Sequence, residues 1–303
     1  MMKRLLIDTD CGVDDAVAIM IALASPELQV TGLTTVNGNV GVGQVTENVL
    51  RLLAFLGREE IPVYRGASRP LIAGPQHAAG VHGSNGLGDV QLPETGKRAQ
   101  NAGAADGLLH LARENPGLTL VALGPLTNVA TALNLYPELE DLLGEIVSMG
   151  GAVGPGNVTP HAEFNYYADP EAVQVVLESR IPLIVVPWDA ALKMAHSEEQ
   201  IRALGLGDSK AGKLILEMHQ TFFSYIEKVY GARVAMFPDP ITMAYVADPA
   251  VAREQVQTDL KMEPTDSPRR GASVRKPGDR LMLITEIDKI GFQSILLGIR
   301  NLA

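Results

Sequence analysis

The chain has 303 residues, of which 46% are hydrophobic, and its formal net charge is −10 at pH 7. This composition is sufficient for a large core, and the negative charge argues against a nucleic-acid partner because phosphates would be repelled. The single cysteine, Cys11, cannot form an intrachain disulfide, which is typical of a reducing compartment. The sequence has no apolar run of membrane-spanning length and no signal-peptide pattern. A cytoplasmic protein without a membrane partner is therefore expected.

Short apolar runs alternate with helical patterns along the chain. Strands are predicted at 5–7, 30–36, 118–122, 146–148, 183–186 and 281–286. Helices are predicted at 14–24, 44–56, 104–113, 127–135 and 170–179. This alternation indicates an α/β fold with a mostly parallel central β-sheet flanked by helices. No linker divides residues 1–303, so a single catalytic domain is expected.

Two segments of the second half differ from this alternation. Residues 197–231 are helical in pattern and carry several aromatic residues close together. Residues 263–279 are rich in proline, glycine and arginine and lie between two strand-like runs, which predicts an exposed hairpin tip.

Four aspartates lie where the first predicted strand turns into the first helix: Asp8, Asp10, Asp14 and Asp15. In open parallel sheets, ligands bind outside the carboxyl ends of the strands. Clustered carboxylates repel one another unless a cation or a proton neutralises them. Because these candidate ligand atoms are all oxygens, the cluster predicts a hard divalent ion, Ca²⁺ or Mg²⁺.

A simpler interpretation is that Asp14 and Asp15 only stabilise a helix N-terminus, where a carboxylate is worth about 0.3–1 kcal/mol. That interpretation does not explain Asp8 and Asp10 on the strand side. It also does not explain Gly12, which would let the backbone bend tightly around an ion. The spacing differs from that of an EF-hand, which has acidic residues at alternate positions before its glycine.

Other carboxylates and amides follow later predicted strands. Asn39 ends an Asn-Gly-Asn sequence, Glu163 and Asn165 follow a glycine-rich stretch, and Asp239 stands just before a predicted helix. Taken singly, Asn-Gly is an ordinary turn and Asp before Pro an ordinary helix cap. Their recurrence at strand ends predicts a site for a polyol, because a sugar offers vicinal hydroxyls to such groups.

The segment at 8–16, DTDCGVDDA, resembles the signature of the inosine–uridine-type nucleoside hydrolase family, which more often has proline at the position of Cys11. Further matches occur in the family's order and close to its spacings. They are TTVNGN at 34–39, HGSNGLG at 82–88, GPLTN at 124–128, MGG at 149–151, AEFN at 162–165 and DP at 239–240. The resemblance runs from residue 3 to about residue 290 and implies one α/β domain around a mostly parallel sheet.

The resemblance implies hydrolysis of the N-glycosidic bond of ribonucleosides to ribose and free base, with one Ca²⁺ per subunit. The metal ligands would be the side chains of Asp10, Asp15 and Asp239 and the backbone carbonyl of Leu123, together with the ribose 2′- and 3′-hydroxyls. A calcium-bound water, with Asp10 as general base, would attack the anomeric carbon. The transition state would resemble an oxocarbenium ion, which a ring of carboxylates suits.

The resemblance also implies a set of substrate contacts and an oligomer, either a homodimer or a homotetramer. The ribose hydroxyls would be held by Asp14, Asn39, Glu163, Asn165 and Asp239, the 5′-hydroxyl reached by Asn157 and Glu163, and the sugar pocket lined by Met149. Asp14 and His82 would join Asp10 as catalytic residues.

The residues that would contact the nucleobase are less well defined than those that would contact the sugar. Pro238 stands where purine-cleaving members have a histidine whose implied role is to protonate the leaving base, and proline cannot do so. His82 matches a family histidine near the base, and His161 and His219 are further candidates. Tyr230 falls where the family places a base contact in a helical lid, although a packed aromatic residue explains it equally well. We therefore predict that uridine or cytidine is cleaved at least as well as inosine.

Cys11 has two interpretations. It either packs beneath the metal loop or offers a thiol near the leaving group. The acidic surroundings favour packing, because they raise the pKa of a thiol and make it less reactive.

Two other functions compete with nucleoside hydrolysis. A phosphatase of the haloacid-dehalogenase class would also have Asp8-x-Asp10 after its first strand, but it leaves Asp14 and Asp15 unexplained. A catalytically idle ribose or nucleoside binder on the same fold would be compatible with Pro238. Release of phosphate from p-nitrophenyl phosphate would support the first, and nucleoside binding without sugar release would support the second.

Overall fold

The computed structural model describes residues 2–302, and the side chain of Tyr230 lies outside what it describes. The strands are β1 (Lys3–Thr9), β2 (Leu28–Thr35), β3 (Val63–Arg65), β4 (Leu118–Ala122), β5 (Leu143–Met149), β6 (Leu183–Val186), β7 (His196–Ser197), β8 (Val234–Ala235), β9 (Ala252–Met262) and β10 (Ser273–Ile287). The helices are α1 (Val13–Ala24), α2 (Val42–Phe55), α3 (Ala79–His82), α4 (Ala104–Glu114), α5 (Thr127–Leu135), α6 (Leu139–Leu142), α7 (Phe164–Ala168), α8 (Pro170–Glu178), α9 (Trp188–Leu192), α10 (Glu198–Ala203), α11 (Lys210–Tyr230), α12 (Pro238–Ala247) and α13 (Lys289–Leu297). Short 3-10 turns lie at Leu206–Asp208, Pro249–Val251 and Gly298–Asn301.

A central sheet runs in the order β3-β2-β1-β4-β5-β6-β10-β9. Its neighbouring strands are parallel except β10 and β9, which form an antiparallel hairpin at one edge. The predicted α/β fold with a mostly parallel sheet is confirmed. The strand order reverses between β1 and β4, and ligands in open α/β sheets bind in the crevice outside the strand ends at such a point.

The sheet is buried on both faces, which explains why its strands are apolar in nearly continuous runs. Because side chains alternate along a strand, Leu5 and Ile7 of β1 pack into one hydrophobic cluster, and Leu6 packs into another. The first cluster also contains α1, ten of whose residues are buried. A helix buried on nearly all sides is apolar all round, and this burial fixes the N-terminus of α1 at the end of β1.

The predicted boundaries agree with the structure best where strands are fully buried. β4 and β6 have the predicted ends, whereas β1 and β5 extend beyond the predicted residues at both ends. β2 begins two residues before the predicted start and ends at Thr35, one residue before the predicted end. The edge strand β3 has only three residues and was not predicted.

The prediction of a hairpin tip at 263–279 is wrong in part. A hairpin is present, but β10 already begins at Ser273. The turn residues Gly271 and Ala272 are buried, and Ala272 forms a β-bridge with Ala162. The end of the turn therefore packs on the segment before α7, whereas Pro264, Asp266, Pro268 and Arg269 are exposed as predicted.

The helical segment at 197–231 is confirmed as α10, a 3-10 turn and α11. Helix α11 begins where Ser209 Oγ accepts the Gly212 N–H at 3.0 Å. It ends at Gly231, whose φ of 71° is readily adopted by glycine. Among the helices of residues 2–302, none combines the length and the apolar character needed to cross a bilayer.

Leu120 in β4 and Leu135 in α5 provide a matched pair for testing the buried centre of the sheet, since they are 0% and 59% exposed. Leu120→Ala is expected to lower the free energy of unfolding by about 2–5 kcal/mol, because it leaves a cavity. Leu135→Ala is expected to change it by less than about 0.5 kcal/mol. Urea denaturation followed by circular dichroism measures both, and equal losses would contradict the placement of β4.

Candidate active site

The turn from β1 into α1 is shaped by two neighbouring residues. Cys11 has a φ of 34°, an unusual value for a residue other than glycine. Gly12 has an ordinary φ of −83°. A Cβ on Gly12 would lie 2.5 Å from Asn39 Nδ2 and 2.7 Å from His82 Nδ1. Gly12 is therefore needed for the close approach of these two side chains and not, as predicted, for a tight bend.

Asp10 and Asp15 are oriented by donors from this turn and from the end of β2. Asp15 Oδ1 accepts the Thr9 hydroxyl at 2.5 Å, and its Oδ2 accepts the Gly12 N–H at 2.8 Å. The Asn39 backbone N–H donates to Asp10 Oδ2 at 2.8 Å, and Asn39 Nδ2 lies 3.3 Å from Asp15 Oδ2. Each carboxylate is thus held in one position before any ligand binds.

Helix α12 adds a carboxylate from the far end of the sequence. Asp239 lies inside the first turn of α12, not before the helix as predicted. Asp14, Asp15 and Asp239 each place one carboxylate oxygen within 4.8 Å of the others. Asp14 Oδ1 is buried and has no hydrogen-bond partner among the described residues. This oxygen cluster could hold a metal ion.

Burial is the main cause of the electrostatic character of the cluster. It raises the pKa of Asp10 and Asp239 well above the ordinary value and that of Asp14 to about 8, and repulsion between the carboxylates adds to the effect. Within residues 2–302 none of these groups pairs with a lysine or arginine. His82 Nδ1 lies 3.7 Å from Asp14 Oδ1. Buried oxygens without a cationic side chain fit a hard divalent cation.

Asp8 lies beneath the cluster and is fully buried. Its Oδ1 accepts the Thr34 hydroxyl at 2.6 Å and Asn128 Nδ2 at 2.7 Å. Asn128 Oδ1 in turn accepts the Ala67 N–H at 2.8 Å. Burial raises the pKa of Asp8 to about 7. Asp8 therefore links β1 to β2 through Thr34 and to α5 through Asn128.

Glu163 and Asn165 form the opposite wall, at the start of α7. Glu163 Oε1 accepts the Asn165 N–H at 2.8 Å, and burial raises the pKa of Glu163 to about 7. Asn165 Nδ2 donates to the carbonyls of Leu123 at 2.7 Å and Met149 at 3.2 Å. These two carbonyls follow or end β4 and β5, so the amide bridges neighbouring strand ends.

A cavity of about 120 Å³ lies between these walls. It is lined by the predicted site residues Asp10, Asp14, Asn39, His82, Leu123, Met149, Asn157, Glu163, Asn165 and Asp239. Asp15 lies behind this lining, fully buried. The predicted contact from Tyr230 falls on a side chain outside the described residues.

The rest of the cavity lining is largely apolar. It consists of Ala78, Val81, Val158, Phe164, Trp188, Phe222, Tyr225, Ile226 and Pro238. Phe222, Tyr225 and Ile226 were not predicted as site residues. Their spacing of three and four residues on α11 places them on one face of the helix, which is the signal that could have identified them.

His82 lines the cavity as a neutral hydrogen-bond donor. The Val13 backbone N–H lies 3.2 Å from His82 Nδ1. Because this N–H can only donate, Nδ1 accepts, and the ring proton is on Nε2. Burial lowers the pKa of His82 to about 4.

The other histidine candidates and Cys11 do not line the cavity among the described residues. His161 is exposed, and His219 is buried among aromatic rings, with Nδ1 2.7 Å from the Ile215 carbonyl. Cys11 is fully buried, and burial raises the pKa of its thiol. This position agrees with packing beneath the loop.

Comparison with known proteins identifies the family. The family model described as inosine-uridine preferring nucleoside hydrolase matches residues 5–294. The pyrimidine-specific ribonucleoside hydrolase RihA of Citrobacter koseri is 38% identical, over 98% of this chain and 97% of the relative.

Two solved structures have closely similar folds. A plant nucleoside hydrolase, PpNRh1, is 33% identical and superposes with a TM-score of 0.93, covering 99% of this chain and 100% of the other. A purine-preferring ribonucleoside hydrolase from Gardnerella vaginalis is 29% identical with a TM-score of 0.92 and the same coverage. The resemblance carried by the aspartate motif is confirmed: this chain belongs to the inosine-uridine preferring nucleoside hydrolase family and is an enzyme of that class.

Proposed function

We propose that this enzyme hydrolyses the N-glycosidic bond of ribonucleosides to ribose and free base, using Ca²⁺ and Asp10 as general base. One observation carries the proposal. Asp14, Asp15 and Asp239 bring three carboxylate oxygens within 4.8 Å of one another. The cavity beside them is also lined by amides and further carboxylates. Such a set suits a cation and a sugar together.

The proposed Ca²⁺ ligands are the side chains of Asp10, Asp15 and Asp239 and the carbonyl of Leu123. Ca²⁺ accepts six to eight oxygen ligands in flexible geometry, so the Asp14 oxygen that groups with Asp15 and Asp239 is compatible with this set. When bound, the ion would lower the pKa of a water and bind the ribose hydroxyls.

Asp10 is suited to the role of general base. Its Oδ2 is fixed by the Asn39 N–H. Its Oδ1 faces the chain at Gly124, where an added Cβ would lie 3.0 Å away. Burial raises the pKa of Asp10 in the metal-free protein, and a bound cation would lower it again and favour the ionised base.

The ribose contacts would come from groups with unused acceptors or donors on the cavity wall. Asp14 Oδ1 has no hydrogen-bond partner within residues 2–302 as described, and it is available to a sugar hydroxyl. We assign the remaining contacts to Asn39, Asn157, Glu163, Asn165, Asp239 and Met149. The surrounding negative charge would favour the positive charge that develops on the sugar in the transition state.

Pyrimidine nucleosides are the proposed substrates. Pro238 lines the cavity and has no proton to donate. His82, which also lines it, offers a hydrogen bond from a neutral ring. The Citrobacter koseri relative is named as pyrimidine-specific, whereas the Gardnerella vaginalis protein is named as purine-preferring. The higher identity to the first supports uridine or cytidine here.

The phosphatase hypothesis lacks structural support. It needs Asp8 as a nucleophile, but Asp8 is fully buried and held by Thr34 and Asn128. The hypothesis of a catalytically idle nucleoside binder is compatible with Pro238. Release of sugar from a nucleoside would distinguish the enzyme from such a binder. A single catalytic domain over 1–303, a cytoplasmic location and a homodimer or homotetramer stay predictions.

Asp10→Asn is expected to lower kcat by a factor of about 10²–10⁴, because an amide cannot accept the proton. A reducing-sugar assay with uridine measures the loss, and circular dichroism checks the fold. Asp266→Asn, on the exposed part of the β9–β10 turn, is the matched control and should keep wild-type turnover. Near-normal turnover of Asp10→Asn would contradict the assignment of Asp10 as the general base.

Removal of divalent cations with a chelator is expected to abolish hydrolysis. Ca²⁺ should restore it more fully than Mg²⁺, because a cluster of this many oxygens does not impose the octahedral geometry that Mg²⁺ requires. Full activity in the chelator, or recovery with Mg²⁺ only, would contradict the calcium proposal.

The same site predicts a pH-dependent stabilisation by Ca²⁺. Because the pKa of Asp14 is raised from 3.8 to about 8, this group stabilises the cation-free protein at low pH, and the contribution is lost as the pH rises through that range. Ca²⁺ needs the ionised form, so its effect on Tm should be larger at about pH 8 than at about pH 5. Thermal unfolding with and without Ca²⁺ measures this, and an equal shift at both pH values would speak against the cluster as the site.

A nucleoside panel tests the base preference. Uridine or cytidine is expected to give kcat/KM values at least equal to that of inosine, since Pro238 offers no proton to a purine. A strong inosine preference would refute this. Calorimetric binding without release of sugar from any nucleoside would favour the idle binder.

A further inference from the structure

Asp189 lies in the first turn of α9, directly after Trp188, and is half-buried. Its Oδ2 accepts the Val153 N–H at 2.8 Å, and its Oδ1 accepts the Gly154 N–H at 2.7 Å. Both donors belong to residues 151–163, here called the wall loop, which connects β5 to α7. One carboxylate therefore binds two successive N–H groups of this loop.

The close contact depends on glycine at 154. A Cβ at this position would lie 2.6 Å from Asp189 Oδ1, so any other residue here would force the Asp189 carboxylate to move. The two described atoms within 4 Å of that point both belong to the Asp189 carboxylate. Gly154 is exposed, so the demand for glycine comes from Asp189 and not from burial in the core.

The wall loop is attached firmly at its start. The Gly151 carbonyl accepts the Trp188 N–H at 2.9 Å, and the Gly151 N–H donates to Glu163 Oε2 at 2.8 Å. Asp189 continues this attachment to the next residues of the loop. Trp188 and Asp189 thus bind the loop from the same turn of α9.

The far part of the wall loop is bonded mainly to itself. The Asn157 N–H donates to the Ala162 carbonyl at 3.2 Å, and Asn157 Oδ1 accepts the Phe164 N–H at 2.9 Å. Val153 and Val158 are 40% and 44% exposed, so apolar burial holds this part of the loop only weakly. The end of the loop is held by Ala162, which is fully buried and forms a β-bridge with Ala272, whereas the hydrogen bonds to Asp189 hold the part that precedes Asn157.

The wall loop matters because Asn157 and Val158 line the cavity, on the same side as Glu163. Asp189 is not among the described residues that line it. Any effect of Asp189 on a ligand would therefore pass through the loop.

We propose that Asp189 is a positioning residue for substrate binding, whose carboxylate holds the wall loop so that Asn157 faces the bound sugar. This inference rests on the proposed function. It assigns to Asp189 an effect on nucleoside binding, with no part in the proton transfer or in cation binding.

Asp189→Ala, Asp189→Asn and a matched control test the proposal with uridine as substrate. Asp189→Ala is expected to raise KM by about tenfold, since two hydrogen bonds to a charged group are lost, while kcat changes by less than about threefold. Asp189→Asn keeps one acceptor oxygen and should give an intermediate KM. Asp248→Ala is the matched control, because the Asp248 carboxylate accepts the Ala250 N–H at 3.0 Å. Asp248 is not among the described residues that line the cavity, so this substitution should leave KM unchanged.

A double-mutant cycle separates positioning from a general structural effect. If Asp189 acts through Asn157, Asp189→Ala should raise KM by less than about twofold in an Asn157→Ala background. Independent, additive effects of the two substitutions would overturn the proposal.

Hydrogen–deuterium exchange of the peptide containing Val153 and Gly154 gives a readout that needs no turnover. Exchange is expected to be at least about tenfold faster in Asp189→Ala than in the wild type or Asp248→Ala. Unchanged exchange, or unchanged KM in an active enzyme, overturns the role of Asp189 while the proposed function stands. A wild-type protein that binds no nucleoside and releases no sugar would overturn both.

Discussion

The structure depends on one electrostatic constraint, the burial of several carboxylates at the point where the strand order reverses. Asp10, Asp15 and Asp239 are at most 3% exposed and have no cationic side chain among the described residues to neutralise them. Isolated buried charges are very unfavourable. The fold must therefore supply hydrogen-bond donors and leave room for a cation, and the turns around β1 and β2 do both.

Close backbone approach is the means by which these turns satisfy the carboxylates. A Cβ on Gly38 would lie 2.0 Å from Asp10 Oδ2, so only glycine allows the chain to pass near enough for the next N–H, that of Asn39, to donate. Asp8 fixes the same region from below through Thr34 and Asn128. The carboxylates are consequently held by groups at the ends of rigid strands, as a preorganised site requires.

The parts of the site that are local in sequence could be predicted, and the parts made by tertiary contact could not. The aspartates of the first turn and the buried strands β4 and β6 follow from short patterns. Asp239 joins the cluster only because α12 packs on α1. The residue pattern indicated Asp239 as a sugar contact, and only the resemblance indicated it as a metal ligand. The buried turn at Gly271 and Ala272 could not be predicted, since its composition is that of an exposed turn and its partner is more than a hundred residues away.

Polar and apolar residues of the cavity lining come in part from different structural layers. The aspartates lie at strand ends and in the first turns of α1 and α12, which are fixed by the core of the sheet. Four of the apolar residues, Val81, Phe222, Tyr225 and Ile226, lie on α3 and on one face of α11, outside the sheet. Side chains such as Phe222, Tyr225 and Ile226 can therefore change without moving the carboxylates. This separation gives a physical reason why relatives of this chain carry names that specify different bases.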